Sequence, residues 1–198
     1  MSDDCLPISM LAQSRAQIYD AFADFFTGKS SERFANNWAE IVRFINGIET
    51  LCERPQTQLP TQLPSFLDLD RYYAKLFRGV GVRTVPLVAS AYTNEHHMMC
   101  QEDWRSLNDL YQSHGFTPSE EWTSFADSVA VELAFLALLA RTQSSPTMQT
   151  DFLTSRLIPL VYSVRHEVKS LDGGPIEEVL NALLSLLDTD KELLAQSV

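Results

Sequence analysis

Glycine is scarce, at 7 of 198 residues, and the three cysteines, Cys5, Cys52 and Cys100, show no paired spacing. An odd count without a CxxC pattern excludes a disulfide framework and points to a reducing compartment. Basic side chains are also few. The 15 Lys and Arg stand against 26 Asp and Glu, a net charge of −11, which excludes a nucleic-acid surface because phosphate contacts need clustered cations. The same balance suits a basic partner, and it also keeps a protein soluble. No apolar run is long enough for a bilayer: "VAVELAFLALLA", Val129 to Ala140, is too short and carries Glu132. The opening "MSDDCLPISM" has no basic region and is expected not to be a secretory signal, so a cytoplasmic location without stable membrane insertion is expected. A phosphate-binding glycine loop, a GxSxG elbow and an HExxH pair are all missing.

What is present is helical periodicity, with 45% hydrophobic residues to bury. Leu11, Ile18, Tyr19, Phe22, Phe25 and Phe26 share one face, and Gly28 follows in a C-cap position. Phe34, Trp38, Ile41, Ile45, Ile48 and Cys52 form a second stripe after Ser30 or Ser31 as N-cap. Three prolines mark residues 53–64 as a connector. A third helix is expected near 65–79, on Phe66, Leu69, Tyr73, Leu76 and Phe77. Residues 80–95 break the period around Pro86 and read as an extended loop without a partner strand.

Cys100, Trp104, Leu107, Tyr111 and His114 define the next stripe, closed by Gly115. A long central helix is expected from about Ser119 to Thr142, apolar all round in its second half. After a loop at 143–149, Leu153, Leu157, Leu160, Val161 and Val164 mark a helix that Pro159 should kink. Pro175 opens the last helix at its first position, with Glu177 and Glu178 at the positive end of the dipole. The expected architecture is all-α: residues 1–198 as a single helical bundle of about seven helices.

Two stretches could carry chemistry. "EHHMMC", residues 95–100, sets His96 and Cys100 four apart on one helical face and turns His97 about 100° away. A metal site needs three or four ligands, and no second pair stands at helical spacing, since His114 and His166 are alone in their helices. Met98 and Met99 read as adaptable apolar filler. Asp127 and Glu132 lie beside or inside the apolar helix, where a carboxylate must find a partner. Asp127 could bond loop amides and Glu132 an arginine of a neighbouring helix, or the two could recognise a basic or amide-rich ligand.

Four segments, in order, resemble one family. "RAQIYDAFADFFTGKSSERF" (15–34) is similar to the opening helix of the TorD/DmsD/NarJ chaperones of molybdenum-cofactor oxidoreductases, nearest to the TorD/DmsD branch. "YYAKLFRGVGVRTVPLVASAYTNE" (72–95) resembles their Tyr-x-x-Leu-Phe helix and the loop with proline and Ser-x-Tyr, matched by Tyr73, Leu76, Phe77, Pro86, Ser90 and Tyr92. "FADSVAVELAFLALL" (125–139) resembles their Glu-Pro-x-Asp-His element and the following helix. There Ala126 and Asp127 are kept, whereas Ser124, Phe125 and Ser128 replace Glu, Pro and His. Asn94 replaces a common aspartate, and "LIPLVYSV" (157–164) sits where members carry a Leu-x-Pro-Trp-like turn.

The resemblance implies an all-helical protein without catalysis or a cofactor of its own. It would bind the twin-arginine leader or the apo-form of a molybdoenzyme catalytic subunit, assisting cofactor insertion and proofreading before export. The candidate surface carried over is Tyr73, Leu87, Ser90, Tyr92, Glu95, Asp127 and Ser128, with Glu132 added for its place in an apolar helix. Tyr73 also lies on a core stripe, where packing is the commoner role of an aromatic. A monomer and a helix-exchanged (domain-swapped) dimer both stay open. The competing reading is a metal-, nucleotide- or pterin-binding protein or enzyme built on His96 and Cys100.

Overall fold

A computed structural model describes residues 8–29, 31–93, 101–118 and 125–197, with the side chains of 101–103 excepted. Among them the fold is all-α. Helix α1 (Ile8–Phe26) is followed by α2 (Ser31–Leu51), α3 (Phe66–Phe77), a single turn α4 (Ser90–Thr93) and α5 (Gln101–Ser113). The chain continues through α6 (Val129–Arg141), α7 (Pro146–Phe152), a π-helical turn at Leu153–Leu157, α8 (Ile158–Ser170) and α9 (Pro175–Ala195).

Helix α6 is the axis. Eleven of its residues, Val129 to Ala137 with Leu139 and Ala140, are buried, so it has no solvent face to keep polar. It packs mainly along α1, whose Ala12, Ala16 and Ala23 meet a helix equally rich in alanine. Small side chains on both helices permit that closeness. On α2, Phe34, Trp38, Ile41, Ile45 and Ile48 are buried as their spacing requires. Gly28 has φ +73° after α1, and its N–H reaches Phe25 C=O at 2.9 Å. A Cβ there would come within 2.7 Å of the Tyr73 ring.

Two buried polar clusters tie distant parts of the chain together. Arg15, 1% exposed, sends two donors to Asp190 at 2.6 and 2.7 Å, and Asp190 also accepts from Tyr19 Oη at 2.5 Å. Gln149 takes a third Arg15 bond at 2.7 Å, so α1, α7 and α9 share one ion pair. Glu49 on α2 accepts from the Thr57 amide at 3.0 Å, the Thr57 hydroxyl at 2.6 Å and the Ser185 hydroxyl at 2.5 Å. With Trp38 Nε1 bonded to Pro60 C=O at 2.7 Å, this fastens the proline-rich connector to α2 and α9.

Two expectations about boundaries need correction. The central helix does not run back through 125–128. Ser128 is extended, and its Oγ caps α6 by accepting from Val131 N–H at 3.3 Å. The loop after α6 is shorter than 143–149, because Ser145 caps α7 and Pro146 stands inside its first turn. Among the described residues, 80–93 find no partner strand, as expected, and Val88 pairs with Ser128 only in an isolated bridge. Pro159 follows a π turn, where Ile158 N–H reaches back to Leu153 C=O.

Candidate functional site

The loop after α3 is closed onto the head of α6 by its own backbone. Ala89 N–H donates to Asp127 C=O at 2.9 Å, and Val129 N–H donates to Leu87 C=O at 2.9 Å. The Asp127 carboxylate adds a third tie, accepting from Ser90 N–H, the first amide of α4, at 2.8 Å. Asp127 thus caps α4 from another part of the chain, a charge-assisted bond at a helix start. Tyr92 folds back to donate to Pro86 C=O at 2.8 Å, and burial raises its phenol pKa well above the usual value, with Glu167 adding to the effect. Arg83 pairs with Glu167 of α8 at 2.7 Å, bracing the loop from the other side.

Between this loop and the π turn lies a groove of about 210 Å³. One wall is Ala89, Ser90, Tyr92 and Thr93, with Trp104 of α5 and Asp127 completing it. The other wall runs along one side of the bulged helix, through Ser155, Arg156, Pro159, Leu160 and Ser163. The spacing 155, 159, 163 is a face of a helix. Trp104 is 44% exposed and supplies the broad apolar surface at the rim.

Behind the groove, Glu132 is fully buried and accepts from Arg156 Nε at 3.3 Å through one oxygen. Its other oxygen, and Oδ1 of Asp127, are enclosed without a hydrogen bond among the described residues. Burial pushes the Glu132 carboxyl up to about 8; Arg156 opposes that rise and Asp127 adds to it. Burial thus favours the neutral acid at Glu132. Tyr111 of α5 donates to Ala126 C=O at 2.9 Å, and burial, with Glu132 next in effect, raises its pKa strongly.

Of the residues singled out in the sequence, Ser90, Tyr92 and Asp127 line this groove together. Ser128 and Glu132 are buried in the structure that supports it, at the cap and first turn of α6, and Leu87 packs partly buried against the core. Tyr73 is elsewhere. It is 4% exposed, donates to Phe26 C=O at 2.8 Å and stacks edge-on against Phe25 and Phe77. Glu95, His96 and Cys100 lie outside the described residues. Among those described, no group of three His, Cys, Asp or Glu could hold a metal. Sequence reasoning reached the far wall only through the family-like segment 157–164 and named no site residue on it. Ser155, Arg156 and Ser163 sit at spacings that place them beside Pro159, and the proline was the available signal.

A second groove, about 320 Å³, separates α1 from α2 and carries Asp20, Asp24, Glu40 and Arg33. Two of its acids are already matched, Asp24 to Arg33 at 3.8 Å and Asp20 to Arg141. No helix of the described residues is long and apolar enough to cross a membrane.

Comparison with known proteins adds an independent line. A family described as nitrate reductase delta subunit matches residues 27–159, which include the loop, the head of α6 and Arg156. The chain is 23% identical over 152 residues to the chaperone protein TorD of Aliivibrio salmonicida (strain LFI1238), covering 71% of this chain and 70% of that one. No solved structure matches.

Proposed function

Since the chain belongs to the TorD/NarJ family of molybdoenzyme maturation chaperones, we propose that it binds the twin-arginine leader or apo-form of its client subunit in the groove between α4 and α8. The client would be held away from export or misassembly until its cofactor is inserted. One observation carries this reading: Ser90, Tyr92 and Asp127, which belong to two separate family-like segments, meet on a single groove. A wall of Ala89, Tyr92, Trp104, Pro159 and Leu160 offers apolar surface to the hydrophobic run of a leader. The net charge of −11 favours approach of a segment bearing two arginines.

Calorimetry with a synthetic twin-arginine leader tests the reading. Wild type should bind saturably. Asp127→Asn should weaken binding on the order of tenfold through loss of a charge beside the groove, with the helical circular dichroism unchanged. Equal affinity for the variant would remove Asp127 from the site. Absence of binding to wild type would remove the leader.

A further inference from the structure

We propose that Arg156 anchors a carboxylate-binding subsite in the same groove, so that the protein recognises an acidic group of a bound peptide as well as its basic and apolar parts. The inference rests on the groove being the binding site, and it concerns a ligand group of opposite charge to the arginines of a leader.

Arg156 is one of the lining residues, and its side chain retains 24% exposure. Its single hydrogen bond among the described residues leaves from Nε, to Glu132. The two terminal nitrogens, the edge that grips a carboxylate through parallel bonds, make none among the described residues. Arg156 stands within the π turn, with Nε bonded inward to Glu132 while the residue lines the groove.

Neighbouring polar groups divide in a way that fits a peptide. Ser155 and Ser163 donate their protons to backbone carbonyls, Asp151 at 2.6 Å and Pro159 at 2.9 Å, and so present acceptors. Ser90 across the groove keeps its hydroxyl without a hydrogen bond among the described residues and can donate beside Arg156. A carboxylate would meet the guanidinium and a hydroxyl, and peptide N–H groups would meet the serine oxygens.

The charges around Glu132 decide whether Arg156 is available. Asp127 faces it from the head of α6, Arg156 from the π turn and Tyr111 from α5. Asp127 spends one oxygen on Ser90 N–H. Burial raises the Glu132 pKa to about 8, so below that pH it neutralises Arg156 less than an ordinary carboxylate would, and it bonds only Nε. Once ionised, it competes for the guanidinium and repels a second carboxylate. Affinity for a carboxylate should therefore fall as pH rises through about 8.

The test is NMR of the full chain, following the Nε–H resonance of Arg156. The probes are N-acetyl-aspartate amide, its asparagine counterpart, and N-acetyl-alanine, whose only carboxylate is terminal. Expected is a saturable shift with the aspartate compound, none with the asparagine compound, and an affinity that weakens about tenfold between about pH 7 and pH 9. Glu132→Gln, which mimics the neutral acid, should keep the affinity constant over that range. Arg156→Gln should abolish binding, followed through loss of perturbation at Ser90 N–H. A response to N-acetyl-alanine of similar size would assign the subsite to a chain terminus, and a much weaker one to an acidic side chain. An unmoved Arg156, or equal shifts from the aspartate and asparagine compounds, would overturn the proposal. Leader binding by calorimetry would then still stand or fall separately.

Discussion

Glu132 shows how a single position couples stability to pH. Native Glu132 keeps its proton up to about 8, whereas the carboxyl's ordinary value is 4.5. Between those values the folded chain holds more protons than the unfolded one, so this group's stability contribution is largest at low pH and is lost as pH rises through the window. Thermal melts of wild type should show this loss, at roughly 1 kcal/mol per pH unit from this group. Glu132→Gln should remove that component and melt higher than wild type near pH 8. Identical pH profiles for the two proteins would contradict the assignment. The need for a partner at Glu132 was readable from the sequence, because an ionised carboxylate inside an apolar helix is too costly alone. The identity of the partner, Arg156, was not, since it depends on how two helices face. Arg15 was missed for the same reason: an arginine on a stripe with Tyr19 is buried only because Asp190, 175 residues away, meets it.

At the scale of elements, periodicity located the helices better than it located their ends. The apolar run that makes α6 central is visible as a string of letters. Its start is not, because Asp127 and Ser128 are taken out of the helix by bonds to the loop at Leu87, Ala89 and Ser90. Ser128→Ala should cost about 1 kcal/mol in chemical denaturation, by loss of the cap to Val131 N–H. A change within error would mean that the β-bridge alone fixes this boundary. Gly28 was legible as a helix stop. Gly28→Ala combines φ +73° with a Cβ 2.7 Å from Tyr73, and should destabilise by about 1–3 kcal/mol in the same assay. The π turn left no signature beyond Pro159, so of the far wall only the family-like segment 157–164 was legible, and Ser155 and Arg156 before it were not.

Over the whole molecule, the all-α class followed from period and composition, but the closure of the bundle depends on polar pairs that no period reveals. Asp190→Ala would leave Arg15 buried and unpaired between α1 and α9, and should cost about 3–5 kcal/mol of unfolding free energy. A small effect would show that the Gln149 bond suffices for Arg15. Grooves lie open between α4 and α8 and between α1 and α2, and the client is assigned to the first. Hydrogen exchange of the full chain, with and without a twin-arginine leader, tests this choice most directly. The expected footprint is slowed exchange at residues 85–93 and 155–163, with the α1–α2 groove at 17–41 unchanged. Protection confined to 17–41 would contradict the account.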